Sequence, residues 1–164
     1  MAKHLFIIRH AKSDWSLGLR DFERPLNERG FRDAPIMAAR LAKHEQMPEF
    51  LMSSTAKRAL TTAQIFAEHL GVQSKNIYTE ERIYEASAPT LLEIVNQLED
   101  QWERVAIFGH NPGFSELTSY LSEEDYLNMP TCAIVHMVFQ NADKWAEVGN
   151  GTGEIKDFWY PKDS

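Results

Sequence analysis

The stretch Leu5-Phe6-Ile7-Ile8-Arg9-His10 decides the fold class of this chain. Its four consecutive apolar residues are typical of a strand that is covered on both faces in a parallel sheet. Phe50-Leu51-Met52-Ser53 and Arg104 to Phe108 have the same character, and Asn76 to Thr79 is a shorter candidate. Helical periodicity separates these segments, so the sequence predicts an α/β domain with a mainly parallel central sheet.

Four helices are predicted between and after these strands. Each prediction rests on apolar residues that recur every three or four positions and on a residue type that begins or ends helices. The first helix is capped by Asn27 and ends between Lys43 and Met47, and the second is capped by Ser54 or Thr55 and stopped by Gly71. The third starts with the capping-box sequence Thr90-Leu91-Leu92-Glu93 and runs through Leu98. The fourth has Pro112 in its first position.

The last third of the chain is predicted to add strands. Ala133 to Gln140 and Lys144 to Gly149 alternate with β-branched and aromatic residues, and we expect them to pair as a hairpin around Asn141-Ala142-Asp143. The aromatic-rich tail from Gly151 to Ser164 is expected to pack back on the body. Because no repeat, low-complexity tract or linker interrupts the pattern, residues 1–164 are predicted to form a single domain.

Composition and charge exclude several classes of protein. With 164 residues, 43% hydrophobic and 25% charged, the chain has the composition of a globular domain. Its net charge of −7 argues against broad affinity for nucleic acid. The apolar stretch near the N-terminus is far shorter than the ~20 residues of a membrane span and ends in charge. We therefore expect a cytoplasmic protein without a membrane segment that starts directly with a strand, with the single cysteine, Cys132, buried.

Charged and imidazole side chains follow three of the predicted strands at the point where each strand ends. Arg9 and His10 follow the first strand, Arg58 lies in the helix after the second, and His110 comes shortly after Phe108. Because the carboxyl ends of parallel strands meet at one edge of a sheet, we expect these side chains to converge. Guanidinium groups match the oxygens of a phosphoryl group, and a histidine can attack phosphorus when its other ring nitrogen donates to a backbone carbonyl. The pattern predicts phosphoryl transfer through His10, with His110 stabilising negative charge on the transferring oxygens.

Three motifs resemble, in the same order, the signatures of the histidine phosphatase superfamily: Arg9-His10-Ala11, Ser53-Ser54-Thr55-Ala56-Lys57-Arg58-Ala59 and Gly109-His110-Asn111-Pro112-Gly113. The similarity runs from Lys3 to the region of Val138. It implies a three-layer α/β/α fold like that of phosphoglycerate mutase, and hydrolysis without metal or other cofactor through a covalent phosphohistidine. Alanine stands where the superfamily usually has glycine after the nucleophile, a difference that removes no catalytic group.

The stretches Arg9-His10-Ala11-Lys12-Ser13 and Asp21-Phe22-Glu23-Arg24-Pro25-Leu26 resemble the short branch typified by the phosphohistidine phosphatase SixA. This resemblance implies a phosphorylated substrate, in the leading interpretation a phosphohistidine-bearing signalling protein. Two alternatives stay open. A small-molecule phosphatase or mutase of the same superfamily is one, although the short length and the absence of an insertion after Glu85 argue against a mutase. A catalytically silent domain that binds a phosphoprotein is the other, although His10 and His110 are both retained.

The proton donor to the leaving group is assigned by resemblance to Glu85. Arg82-Ile83-Tyr84-Glu85 matches the stretch in which related mutases carry their acidic residue. A general acid needs a carboxyl group that burial keeps protonated and that reaches the leaving atom. Asp14, Asp21 and Glu81 are rivals for this role.

Further contacts to the substrate are predicted at Lys12, Ser13, Arg24 and Asn111. Trp15 and Phe22 form either an aromatic wall over the substrate or packing anchors. No His-x-x-x-His or Cys-His pattern indicates a metal site. The remaining histidines are therefore assigned structural roles, on strands or near helix ends: His4, His44, His69 and His136.

Overall fold

The computed structural model describes residues 2–162, which fold around a mixed, six-stranded sheet. The order across the sheet is β3-β2-β4-β1-β5-β6, where the first four strands along the chain run parallel and the last two are added antiparallel to their neighbours. The predicted mainly parallel sheet is thereby confirmed. The strands are β1 (Lys3–Arg9), β2 (Phe50–Ser53), β3 (Tyr78–Thr79), β4 (Arg104–Gly109), β5 (Ile134–Phe139) and β6 (Glu154–Trp159).

Helices cover both faces of the sheet and complete the three layers. Along β1 the buried side chains alternate, so that Phe6 and Ile8 belong to one core and Leu5 and Ile7 to the other. The first core lies under α1 and α2, and the second lies under α3 and α4. The helices are α1 (Glu28–Ala42), α2 (Lys57–Leu70), α3 (Ala88–Asn96) and α4 (Gly113–Ser122).

The start of α1 holds the loop that follows β1. The Asn27 side chain accepts a hydrogen bond from the Gly30 backbone N–H at 2.9 Å, which confirms the predicted cap. The Asn27 backbone N–H in turn donates to the Lys12 carbonyl at 3.0 Å. A Cβ at Gly30 would clash with that same carbonyl oxygen. Glycine at position 30 therefore lets α1 pack directly against the chain two residues beyond His10.

The predicted starts of α2 and α3 are wrong by a few residues. The N-cap of α2 is Ala56, because the Ser54 hydroxyl lies against His110 and does not cap the helix. The N-cap of α3 is Ser87, so this helix begins before the capping-box sequence and includes Pro89 in its first turn, where a missing N–H costs little. Pro112 precedes the first helical residue of α4 instead of occupying that position.

The predicted hairpin partner of β5 is also wrong. β5 pairs with β6, while Lys144 to Gly149 contains a short 3-10 turn, Trp145–Glu147. The Trp145 indole is fully buried and donates to the Trp102 carbonyl at 2.7 Å. Burying this large side chain with its N–H satisfied outweighs strand propensity in the segment. The tail then supplies the edge strand, so its expected packing on the body is confirmed as far as residue 162.

The structure answers two further expectations, on the single cysteine and on a membrane segment. Cys132 is fully buried, and this burial raises the pKa of its thiol. Within residues 2–162, no helix combines the length and the apolar character that crossing a bilayer requires.

Candidate active site

The candidate site lies beyond the carboxyl ends of β1 and β4, which are neighbours in the sheet. Arg9 and Gly109 are register partners, and the next residue, His10, donates its backbone N–H to the Gly109 carbonyl at 3.0 Å. The His10 carbonyl accepts from the Cys132 N–H at 2.9 Å, just before β5. The backbone of His10 is therefore held from both sides by the sheet.

A threonine of α2 connects the nucleophile candidate to the second motif. The Ala11 backbone N–H donates to Thr62 Oγ1 at 3.0 Å, and the Thr62 hydroxyl donates to the Arg58 carbonyl at 2.8 Å. Thr62 lies one helical turn after Arg58, so a single hydroxyl sets the loop after β1 against the first turn of α2. Sequence reasoning missed this residue, because a threonine at a helical position carries no distinctive signal.

The ring of His10 is held in one tautomer. Its Nδ1 donates to the Ala11 carbonyl at 2.7 Å, which leaves the lone pair on Nε2. Arg58 Nε lies 3.4 Å from this Nε2. Burial is the main cause that holds the pKa of His10 well below its usual range, and the positive charges of Arg58 and Arg9 act in the same direction. The ring is therefore neutral at pH 7, with Nε2 available to attack an electrophile.

Two arginines place positive charge beside this ring. Arg9 Nη1 donates to the Met129 carbonyl at 2.8 Å, while its buried Nε has no hydrogen-bond partner in the part of the chain described. Burial is the main cause that lowers the pKa of Arg9. Arg58 donates through Nη1 to the Asp21 carbonyl at 2.7 Å and through Nη2 to Asp21 Oδ2 at 3.0 Å. Since a buried guanidinium nitrogen without a partner is costly, an anion that accepts from Arg9 would stabilise the site.

His110 is the second imidazole of the site, and its ring centroid lies 5.3 Å from that of His10. Its Nε2 lies 2.8 Å from Ser54 Oγ, which already accepts from the Ala56 backbone N–H at 3.1 Å. When the Ser54 hydroxyl donates its hydrogen to Nε2, the ring proton lies on Nδ1. That Nδ1 is buried and has no partner among the described residues. Burial is the main cause that lowers the pKa of His110 to about 3, so the ring offers a neutral donor and not a charge.

Asp21 joins the site as an ionised carboxylate that bridges three side chains. Its Oδ2 accepts from Arg58 and, at 2.6 Å, from the Tyr84 hydroxyl, and its Oδ1 accepts from Arg24 Nε and Nη2 at 3.2 and 3.1 Å. Burial alone would raise the pKa of Asp21, but the hydrogen bonds from Tyr84 and Arg58 lower it to about 2. Asp21 therefore carries no proton at neutral pH that it could give to a leaving group. The geometry makes it a support for the arginines.

The other carboxylates considered as proton donors separate by position. Glu85 lines the cleft and is exposed, in a left-handed backbone conformation with φ of 58°. Asp14 and Glu81 do not line it. The Asp14 side chain accepts instead from Ser16, and these hydrogen bonds lower its pKa. The next residue after Glu85, Ala86, has its carbonyl where a Cβ at Gly113 would clash, so the glycine allows α4 to start against this loop.

All four predicted secondary contacts line the same cleft. Arg24 is buried, donates to Ser13 Oγ, and lies under the exposed ring of Trp15 with its Cζ 3.4 Å from the ring centroid. Lys12 is exposed at the rim. The Asn111 side chain accepts from Ser115 N–H and Oγ and donates to the Met129 carbonyl at 3.0 Å. These bonds already use both ends of the Asn111 amide, so its predicted contact with substrate stays a prediction.

The cleft has a volume of about 750 Å³. It brings together the four residues of the motifs with the loop after β1, the loop after β3 and the start of α4. Phe22 is not among the lining residues; its ring packs edge-on against Tyr84 with centroids 5.1 Å apart. The lining residues that sequence reasoning did not assign to the site are Tyr84, Ala86, Ser87, Pro112, Glu116 and Thr131.

Comparison with known proteins accounts for this arrangement. Residues 5–113 match the sequence model of the histidine phosphatase superfamily (branch 1). An uncharacterised protein of Mycobacterium tuberculosis is 30% identical over 165 residues, which cover 94% of this chain and 100% of that protein.

Solved structures agree with this result. The Agrobacterium tumefaciens protein assigned as phosphohistidine phosphatase SixA superposes with a TM-score of 0.80 at 27% identity, covering 97% of this chain and 98% of that one. The mycobacterial glucosyl-3-phosphoglycerate phosphatase shares the fold, with a TM-score of 0.68 at 16% identity and coverage of 95% and 98%. The fold and the family that the motifs implied are confirmed. The chain belongs to the histidine phosphatase superfamily, branch 1, and is a phosphatase with a SixA-like fold.

Proposed function

We propose that this phosphatase works without a metal ion, through a covalent phosphohistidine on Nε2 of His10, and that its substrate is a protein phosphohistidine. The observation that carries the mechanism is the 2.7 Å bond from His10 Nδ1 to the Ala11 carbonyl. This bond holds the proton on Nδ1 and leaves the lone pair of a neutral ring on Nε2, next to Arg58.

The reaction takes place in two displacements. In the first, the Nε2 lone pair of His10 forms a bond to phosphorus while the bond from phosphorus to the substrate nitrogen breaks, and the leaving imidazole takes up a proton. In the second, water attacks phosphorus and gives one proton to the carboxylate that protonated the leaving group, the Nε2–P bond breaks with its electron pair returning to His10, and phosphate is released. Arg9, Arg58 and His110 are proposed to donate to the phosphoryl oxygens in both steps, because donors fixed before the reaction stabilise the charge that develops there.

Glu85 is proposed as the proton donor to the leaving group. It lines the cleft, where a bound substrate would cover its carboxyl group and favour the protonated form, whereas the ionised Asp21 is already used by arginines. An imidazole leaves phosphorus more easily than an alkoxide, so a phosphohistidine substrate depends less on this acid. We therefore expect Glu85→Gln to slow hydrolysis of phosphoserine by ~10²-fold, and that of a phosphohistidine protein by less than about threefold. Equal losses on the two substrates would contradict this role.

The shape of the cleft supports a macromolecular substrate. His10 is 6% exposed, while several residues that line the cleft are exposed, among them Lys12, Trp15, Glu85 and Glu116. A phosphorylated side chain that projects from a folded partner can enter such an open-rimmed cleft. The proposal includes a phosphohistidine-bearing signalling protein as partner and a cytoplasmic location.

A small phosphomonoester is the second candidate substrate. Its support is the cleft volume of about 750 Å³, which falls within the range of small-molecule sites and exceeds the space that a phosphoryl group alone needs. The covalent chemistry on His10 would be the same for both substrates.

The test compares the wild type, His10→Ala and the control His69→Ala, whose imidazole is exposed on α2. Each protein is given p-nitrophenyl phosphate and a ³²P-labelled phosphohistidine protein, with EDTA present and no added metal. We expect wild type and His69→Ala to turn over the phosphoprotein and to carry an acid-labile label during the reaction, and His10→Ala to do neither. Turnover of only the small ester would favour the second candidate. Loss of wild-type activity in EDTA would contradict the metal-free mechanism.

A further inference from the structure

A second group of histidines lies away from the active site, toward the amino end of β1. His4 is in β1, His44 follows α1, His136 is in β5 and Asp157 is in β6; we call these four residues the distal cluster. His4 and His10 are six residues apart at the two ends of β1, which corresponds to ~20 Å. The distal cluster therefore has no contact with the phosphoryl site.

One carboxylate oxygen connects two of the rings. Asp157 Oδ2 lies 3.0 Å from His44 Nε2 and 3.1 Å from His136 Nδ1. The three ligand atoms all lie within 4.8 Å of one another. Neighbouring ligands around an ion with bonds of 2.0–2.1 Å are ~3.0 Å apart in octahedral and ~3.4 Å apart in tetrahedral geometry. The two separations from Asp157 Oδ2, which are those of hydrogen bonds, are also short enough for all three atoms to bind one ion with little movement.

We propose that His44, His136 and Asp157 bind one divalent first-row transition metal ion of the zinc class. Two imidazole nitrogens and one carboxylate oxygen suit such ions, whereas Mg²⁺ and Ca²⁺ prefer ligand sets built of oxygen. The His44 and Asp157 side chains are 17% and 30% exposed, so the ion can enter from solvent and keep water as a further ligand. His136 forms the buried side of the site, at 3% exposure.

The fourth member of the distal cluster orients a ligand. His4 Nδ1 lies 3.0 Å from His136 Nε2, and the two rings are stacked with centroids 5.2 Å apart. When His136 Nδ1 binds the ion, its ring proton moves to Nε2 and is donated to His4 Nδ1, whose own proton moves to Nε2. Outer-shell partners of this kind commonly hold metal-binding histidines in place. The Phe6 ring stacks on His136 at a centroid distance of 4.4 Å and fixes the ring plane.

Binding also requires one exchange at His44. The Gln46 backbone N–H donates to His44 Nδ1 at 2.9 Å, so the neutral ring carries its proton on Nε2 and directs it to Asp157. The ion takes the place of that proton, which moves to Nδ1, and the Gln46 N–H turns to water. This bond is exposed, so its loss is readily compensated by solvent. The ion would connect the end of α1 to the last two strands of the sheet.

The experiment uses tag-free, EDTA-treated and dialysed full-length protein, titrated with Zn²⁺ by calorimetry and with Co²⁺ by visible absorption. We expect one equivalent of each ion to bind, d–d bands that report nitrogen and oxygen ligands, and a rise in the thermal midpoint with Zn²⁺ but not with Mg²⁺. His10→Ala is titrated in parallel, so that any ion held by the phosphoryl site is recognised. Phosphatase activity is expected to be the same with and without the ion.

Three variants decide between this site and a mere hydrogen-bonded network. His44→Gln and Asp157→Asn are expected to weaken Zn²⁺ binding at least tenfold, while His69→Ala and His10→Ala leave it unchanged. His44→Gln alters a partly exposed residue outside the helices and strands, so it serves if Asp157→Asn fails to fold as judged by circular dichroism. Absence of Zn²⁺ binding to the wild type, or unchanged stoichiometric binding in a folded His44→Gln, would overturn the proposal.

Discussion

Histidines gather near both ends of β1, but the two groups are surrounded by opposite charge. At the carboxyl edge, His10 and His110 face Arg9 and Arg58, and Arg9 Nε and His110 Nδ1 are buried without partners in the described chain. Toward the amino end of β1, two rings of the distal cluster donate hydrogen bonds to the carboxylate of Asp157.

Burial does not distinguish these two groups. It is the main cause that lowers the pKa of His110 to about 3 and that of His4 to about 4, so both of these rings are neutral at pH 7. The difference lies in the charge of the neighbours. Guanidinium groups with spare donors prepare one site for an anion, whereas a carboxylate shared by two imidazoles prepares the other for a cation.

The largest expected effect separates the two groups by activity. His10→Ala should lower kcat/KM for phosphohistidine protein by about four orders of magnitude or more, since the attacking atom is removed. His44→Gln should leave kcat/KM within about twofold. Steady-state kinetics on both variants, with circular dichroism as the check on folding, make this test. A comparable loss in His44→Gln would mean that phosphatase activity depends on the distal cluster.

A smaller effect tests the role of the guanidinium next to His10. Arg58→Lys keeps the positive charge but loses the fork that donates to Asp21 and faces Nε2. We expect kcat to fall by ~10²-fold, because phosphoryl oxygens lose aligned donors. The matched control, Arg82→Lys, alters an exposed arginine outside the cleft and should change kcat by less than about twofold. If Arg58→Lys kept the wild-type kcat, positive charge alone would be sufficient at this position and the fork geometry would not be needed.

The tautomer of His110 gives the next test. Ser54→Ala removes the hydroxyl that lies 2.8 Å from His110 Nε2 and leaves the ring free to carry its proton on either nitrogen. We expect kcat to fall about tenfold with little change in KM, as for a donor that is needed mainly in the transition state. Ser53→Ala is the control, because the hydroxyl of this buried neighbour donates to the Ser54 carbonyl at 2.9 Å. A loss that falls on KM alone would contradict the positioning role.

The smallest effect concerns stability against pH in the distal cluster. The folded-state pKa of His4 is about 4, against about 6.5 in the unfolded chain, so between these values the unfolded state binds more protons. Stability should therefore fall as the pH drops from about 6.5 to 4. Discounting the shift for partial exposure, we expect His4→Gln to remove about 1 kcal/mol of this dependence. Urea unfolding at pH 7.5 and 5.0 in EDTA measures it. An unchanged slope would mean that His4 is protonated equally in both states.

The convergence of the phosphoryl site could be predicted from the sequence because it depends on local rules. Arg9, His10 and His110 follow strands whose apolar runs are unmistakable, and parallel strands bring their carboxyl ends to one edge. Asn27 marked the start of α1 correctly for the same reason, since a cap is satisfied within one turn.

Contacts between residues distant in sequence escaped this reasoning. The bridge from Asp21 to Tyr84 and the contact from Ser54 to His110 span 63 and 56 positions, and no local pattern marks either pair. The partner of β5 was misassigned because burial of the Trp145 indole, and not alternation, decides the conformation of that segment.

The sequence by itself determined the strand and helix alternation, the family and the four motif residues that meet at the cleft, because each follows from neighbours within a few positions. Only the tertiary structure decided which charges face which histidines. His4 and His136 bond across 132 positions, and His44 and Asp157 across 113. Such pairs depend on strand order and on helix packing, which no local propensity encodes.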